Sequence, residues 1–284
     1  MIVNKSLFNY YLIEDAPDGD ITTKAIFDKN VSLVTAHLIA KDKIVISGMQ
    51  TIHQLFKDKF KKLKLKVIKK NGAWAKKGEL IAVIKGPVSE LLLAERLLLN
   101  IIQHLSGIAT TTAKFVKLAQ KYDVKILDTR KVMPGFRTEA KQAVIDGGGW
   151  NHRIGLSDQY LIKDNHIEAA GSVTQAINKV KSHRNKSKNK NKIEVEVKNL
   201  AEFKEALNLT PDIILLDNMN TTQIKKMVQL RNAKTKKKGC PALEISGGVN
   251  LKNIKRYLPL GVERISVGAL THSIKAADIS LLVV

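Results

Sequence analysis

From residue 124 onward the chain repeats one pattern: a short apolar run, a loop, then a segment with apolar residues at helical spacing. The runs are 124–127 (VKIL), 159–162 (QYLI), 193–197 (IEVEV), 213–216 (IILL), 243–245 (LEI) and 264–267 (RISV). Helix-like segments at 136–146, 171–183, 199–208, 220–232 and 250–258 lie between them. A strand that recurs after each helix implies βαβ units and a parallel sheet. Six or seven such units in about 150 residues suit an α/β barrel with fewer than eight strands.

The first part of the chain reads differently. Residues 4–15 have helical spacing, and Ala16-Pro17-Asp18-Gly19-Asp20 is a turn. Residues 31–48 read as a strand hairpin with Lys41-Asp42-Lys43 at its turn. Residues 61–70 alternate Lys with Leu, Val and Ile, as a half-exposed strand does. Asn71-Gly72 signals a tight turn, and 80–85 (LIAVIK) is a further strand. Residues 88–119 are helical in pattern, with a break expected at Ser106-Gly107. The expected fold is α/β: a mixed α/β N-terminal domain, then an incomplete barrel.

Composition enters through charge. The chain has 284 residues and a formal net charge of +22. Three stretches, 57–70, 181–192 and 234–238, carry +7, +6 and +4 of it. None has the aromatic or glycine interleaving of a nucleic-acid surface, so they read as solvated lysines. A basic nucleic-acid-binding protein is nevertheless the rival from another functional class. The single cysteine, Cys240, fits a reducing compartment and reads as inert. The longest uncharged run, 97–113, is too short and polar for a bilayer span, and no leader segment is evident, so a cytoplasmic protein is expected.

In parallel α/β folds chemistry gathers at the carboxyl ends of the strands. Here those ends carry Asp128-Thr129-Arg130-Lys131, Lys163-Asp164-Asn165-His166, Glu196, Asp217-Asn218, Ser246-Gly247-Gly248 and Gly268 through His272. The loop at 147–153 (GGGWNHR) adds His152 and Arg153. Arg130, Lys131, Arg153 and Lys163 on one rim suit a ligand with several anionic groups, because guanidinium forks bind carboxylate and phosphate bidentately. Glu196 and Asp217 suit a divalent cation or ribose hydroxyls. The glycine turns after the last two strands suit phosphate, held by backbone N–H groups. Blander readings stay open: Asp217-Asn218 as a turn former, Gly147-Gly148-Gly149 as a flexible connection, His104 as a satisfied core residue. Arg96, among leucines in 91–100 (LLLAERLLLN), must reach solvent, an acid such as Glu95, or a partner subunit.

Taken together these motifs resemble the quinolinate phosphoribosyltransferases, type II phosphoribosyltransferases also called carboxylating nicotinate-nucleotide pyrophosphorylases. The resemblance runs through 14–22 (EDAPDGDIT), 94–110 (AERLLLNIIQHLSGIAT), 128–137 (DTRKVMPGFR), 147–158 (GGGWNHRIGLSD), 161–167 (LIKDNHI), 194–197 (EVEV), 216–219 (LDNM), 244–248 (EISGG) and 266–273 (SVGALTHS). It implies a sandwich-like N-terminal domain over 1–108, with the tail 273–284 packing back on it. It also implies a barrel of about seven strands over 109–272, in a homodimer or a higher oligomer. The implied dicarboxylate site is Arg130, His152, Arg153 and Lys163, with Thr129 beside them and Arg96 contributed across the dimer interface. For phosphoribosyl pyrophosphate and Mg²⁺ it is Lys131, Glu196 and Asp217, with Ser246, Gly247, Gly248, Gly268 and His272 near the phosphates. Lys131, Lys163, Glu196 and Asp217 are the implied catalytic set, Glu196 and Asp217 holding Mg²⁺ directly or indirectly. The implied reaction joins quinolinate to phosphoribosyl pyrophosphate, giving nicotinate mononucleotide, pyrophosphate and CO₂, a step of NAD biosynthesis. The nearer rivals are a relative using another pyridine carboxylate and a molybdenum-transport-associated homologue.

Overall fold

The computed structural model describes residues 5–27, 32–234 and 240–284. Asn4, Val31 and positions 235–238 of the third lysine-rich stretch lie outside the described residues. In chain order the elements are α1 (Lys5–Asp15), α2 (Ile21–Phe27), β1 (Leu33–Ala40), β2 (Ile44–Val45), α3 (Met49–Lys59), β3 (Lys64–Val67), β4 (Trp74–Ala75), β5 (Leu80–Pro87) and α4 (Val88–Ala119). Next come β6 (Lys125–Leu127), α5 (Arg137–Asp146), β7 (Tyr160–Ile162), α6 (Asp164–Ala170), α7 (Val173–Lys186), β8 (Ile193–Val197), α8 (Leu200–Leu209), β9 (Ile213–Asp217) and α9 (Thr221–Lys234). The chain closes with β10 (Ala242–Ser246), two 3₁₀ turns (Ile254–Arg256 and Leu258–Leu260), β11 (Arg264–Ser266), α10 (Ala269–His272) and β12 (Ile279–Val283). Two compact units result: Met1–Ala113 with Val132–Gly149 and Leu270–Val284, and Lys114–Lys131 with Trp150–Ala269.

The first unit is built on an antiparallel sheet in the order β12-β1-β5-β3. The tail reaches it through β12, whose Val283 lies opposite Ala36 of β1. β3 is one of the two edge strands, and its exposed Lys64 and Lys66 discourage pairing with another chain. The hairpin expected over 31–48 does not form. Both sides of the end of β1 are already taken, because the Gly78 N–H donates to the Ala40 carbonyl and the Lys41 N–H to the Asp278 carbonyl. The chain therefore leaves the sheet, and β2 pairs with β4 instead. Two helices, α2 and α3, occur where only turns and strands were expected. In α3, Met49, Ile52, Leu55 and Phe56 form one buried face.

Helix α4 is continuous through Ser106-Gly107, against expectation. Gly107 is a contact residue: a Cβ there would stand 2.5 Å from the Lys275 carbonyl oxygen. The Ser106 hydroxyl is consumed by the backbone N–H of Ser47 at 3.1 Å. By length and composition α4 could cross a bilayer, but Leu91, Leu98, Ile102, Leu105 and Ile108 are fully buried, as in a core helix. Gly147 and Gly149 are likewise packed, with a Cβ falling 2.5 Å from the Ala109 oxygen and 2.7 Å from Thr112 Cγ2 respectively. They mark a close approach of chains and do not form a loose connection.

The second unit holds six parallel strands in the order β6-β11-β10-β9-β8-β7. All six expected runs became these strands. The parallel sheet thus has six strands where about seven were expected, with one isolated parallel bridge from Trp150 to Leu127 beside β6. Helices α7, α8 and α9 alternate with the strands, as the sequence period required. Segment 250–258 forms 3₁₀ turns and no α-helix. Strand β9 is buried along Ile213–Leu216, the continuous apolar run of a strand covered on both faces. Strands β8 and β10 break that rule with the buried Glu194 and Glu244, and β11 opens on the half-buried Arg264.

Candidate active site

Twelve of the expected site residues lie in the second unit: Thr129, Arg130, Lys131, His152, Arg153, Lys163, Glu196, Asp217, Ser246, Gly247, Gly248 and Gly268. Side chains alternate across a strand, so Glu194 and Glu196 share one face of β8, the second nearer its carboxyl end. By the same rule Asp217 ends β9 and Ser246 ends β10, and their residues pair in register. Glu196 is half-buried; burial and then the Asp217 charge push its carboxyl above the usual carboxylate range, with Lys163 opposing. Two neighbouring carboxylates, with hard oxygen donors, fit a divalent cation such as Mg²⁺.

After β10 the chain turns on Gly247 and Gly248, with φ of 96° and 61°. A Cβ on Gly247 would lie 2.1 Å from Asn218 Oδ1, so only glycine fits there. Beside Gly248 there is open space, so its backbone is accessible to an anion.

On the other side of the site stand two arginines. Arg153 is buried, and burial followed by the nearby Arg130 charge lowers its pKa. Arg130 is half-buried, and its Nε is wholly buried with no hydrogen-bond partner. Two partly desolvated guanidinium groups that repel one another, one carrying an unsatisfied donor, suit an anionic ligand, although Glu194 and Asp158 already offset part of the Arg153 charge. Lys131 and Lys163 are exposed.

Below this rim lies a cluster that sequence reasoning missed. The His152 ring places Nε2 3.2 Å from Glu194 Oε2 and 3.2 Å from Glu244 Oε1. Both carboxylates are fully buried, and Arg264 Nε donates to Glu244 Oε2 at 2.6 Å. The His152 backbone N–H donates to Asp128 Oδ1 at 2.8 Å, and the Arg153 N–H donates to His152 Nδ1 at 2.8 Å. Gln159 Nε2 donates to Glu194 Oε2. Burial disfavours the imidazolium, yet its hydrogen bonding to the Glu194 and Glu244 carboxylates outweighs that and pushes His152 up to about 10. Glu194 is raised as well, by burial and then by Glu244. For Glu244 burial is overcome by His152 and Arg264, so it lies low and is ionised. Nε2 thus carries a proton towards the two carboxylates, while Nδ1 accepts from the Arg153 N–H. The signal for this cluster was present in IEVEV, LEI and RIS, since a charge inside a doubly covered strand must be paired.

Arg96 and His272 belong to the first unit, and both are exposed. His104, expected to be a satisfied core residue, is half-buried, and its Nε2 has no hydrogen-bond partner. It stacks edge-on to Phe136 at 5.5 Å, and burial lowers its pKa.

The sequence model of the quinolinate phosphoribosyl transferase C-terminal domain matches residues 108–282, and that of the N-terminal domain matches 20–106. The chain is 38% identical over 277 residues to a probable carboxylating nicotinate-nucleotide pyrophosphorylase of Bacillus subtilis, covering 98% of this chain and 92% of that one. The solved nicotinate-nucleotide pyrophosphorylase of Francisella tularensis is 39% identical, with a TM-score of 0.90 over 98% of this chain and 95% of that one. The enzyme of the same name from Ehrlichia chaffeensis is 36% identical, with a TM-score of 0.90 over 100% of both chains.

Proposed function

The chain belongs to the quinolinate phosphoribosyltransferase family, and we propose that its strand-end residues divide that family's reaction between two anionic substrates. Arg130, Arg153 and Lys163 hold the two carboxylates of quinolinate, with Thr129 beside them. Lys131, Glu196 and Asp217 take the pyrophosphate and ribose end of phosphoribosyl pyrophosphate, and the turns at Ser246–Gly248 and Gly268 receive its phosphates. The observation that carries this division is the buried, unpartnered Nε of Arg130 beside Arg153, together with the Glu196 carboxyl raised by Asp217.

The chemistry asks mainly for positioning. The pyridine nitrogen lone pair forms a bond to C1 of the ribose as the C1–O bond breaks, and that electron pair leaves with pyrophosphate. Lys131 stabilises the charge that develops on the leaving group. Mg²⁺, held by Glu196 and Asp217, would supply charge neutralisation at the pyrophosphate. The adjacent carboxylate then departs as CO₂, its electron pair stays on the ring carbon beside the pyridinium nitrogen, and a proton from solvent completes nicotinate mononucleotide. Arg153 and Lys163 keep the ring in place while the carboxylate is lost. No enzyme nucleophile is needed.

Arg96 stands exposed on α4, and we assign it to the site of a second copy in a homodimer, with His272 near the phosphates. We place the enzyme in the cytoplasm, consistent with a lone, exposed Cys240. The test is an assay with quinolinate, phosphoribosyl pyrophosphate and Mg²⁺, following mononucleotide and CO₂. Product with stoichiometric CO₂, absent when nicotinate replaces quinolinate, is the expected result. Equal or faster turnover of nicotinate without CO₂ would overturn it.

A further inference from the structure

Glu194 meets the expected site residues at His152, and two separate paths lead from it to Arg153. Along the first, Glu194 Oε2 faces His152 Nε2 at 3.2 Å, and His152 Nδ1 receives the Arg153 backbone N–H at 2.8 Å. Along the second, Glu194 Oε2 accepts from the Gln159 side-chain amide, and the Gln159 carbonyl accepts from Arg153 Nη1 at 3.4 Å. The first path fixes the backbone of Arg153 and the second its guanidinium. Both end on one oxygen atom that is fully buried on β8.

We propose that Glu194 is a positioning residue for quinolinate: through His152 and Gln159 it aims the Arg153 guanidinium at the substrate carboxylate. The inference rests on Arg153 binding the dicarboxylate, as assigned above. A donor fork that must meet a carboxylate bidentately tolerates little angular error, so its support decides affinity as much as its charge does. What Glu194 supplies is an acceptor oxygen, shared by two donors. Glu244 is the fixed end of the bracket, because Arg264 holds its other oxygen at 2.6 Å.

The test compares Glu194→Leu, which removes the acceptor, with Glu194→Gln, which keeps one, and uses Arg153→Ala as control. In Glu194→Leu the KM for quinolinate is expected to rise about tenfold, with the KM for phosphoribosyl pyrophosphate within about threefold of the parent. Glu194→Gln is expected to stay within about threefold for both substrates. The inference is overturned if Glu194→Leu leaves both KM values unchanged, or raises them equally, which is the mark of a general structural role. It is also overturned if Glu194→Gln is as impaired as Glu194→Leu. A third contrary result is an equivalent of tightly bound metal in the parent protein that Glu194→Leu lacks, since the same three side chains could ligate an ion. Should Glu194→Leu fail to fold, Gln159→Leu cuts the second path from a half-buried position, and an unchanged quinolinate KM there counts against the proposal. Arg153→Ala separates the two levels. If it leaves quinolinate affinity intact, the site assignment fails; if it weakens affinity while Glu194→Leu does not, only the bracket fails.

Discussion

Glu196 shows how one residue's surroundings set its chemistry. Burial and the Asp217 charge both raise its carboxyl pKa, so it takes up a proton at a higher pH than a free glutamate, whose value is about 4.3. A proton and a cation compete for the same oxygens. The Mg²⁺ concentration needed for half-maximal rate is therefore expected to increase as pH falls, beginning above the ordinary carboxylate range. In Glu196→Gln that pH dependence should be lost along with most of the activity; a Mg²⁺ requirement that stays flat down to the ordinary range would contradict the assignment. The identity of most rim residues was legible in the sequence, because Arg130, Lys131, Lys163, Glu196 and Asp217 each lie within one to four positions of the end of an apolar run, while Arg153 lies in the 147–153 loop. The buried residues beneath them were not. Glu194 and Glu244 lie inside runs read simply as strands, and only the register of β8 and β10 around His152 gives them partners.

At the scale of elements, α4 teaches the same lesson. Serine followed by glycine in a helical pattern reads as an interruption, since glycine weakens a helix by about 1 kcal/mol relative to alanine. Here the glycine is retained because the backbone at Lys275 approaches within van der Waals distance. Gly107→Ala should gain helix propensity yet lose stability by about 1–3 kcal/mol through overpacking, read as a lower Tm. A raised Tm would mean that the 275–277 segment yields easily. The failed hairpin at 31–48 has a related cause. The local alternation of β1 and β2 is real, but the hydrogen-bonding positions at the end of β1 were already occupied by Gly78 and Asp278.

For the whole molecule, the net charge of +22 divides into two populations. Lysines such as Lys64 and Lys66 on edge strand β3 are exposed and solvated, whereas Arg130 and Arg153 are partly desolvated and mutually repelling. The proposed homodimer makes a direct prediction. Arg96→Ala and Lys163→Ala subunits, each inactive or weak alone, should regain activity on mixing, because one site of each mixed dimer receives an intact pair. Stable mixed dimers with no recovered activity would place Arg96 outside a shared site. The sequence by itself determined the α/β alternation, the six parallel strands, which residues stand at their carboxyl ends and the family. Those features rest on periods of 2 and 3.6 residues and on contiguous motifs, which are local. Only the tertiary structure decided which strand leaves which sheet, why Gly107 is a contact and not a break, and how Glu194, Glu244 and His152 meet. Strand order and register bring together residues dozens of positions apart, and no local pattern encodes that pairing.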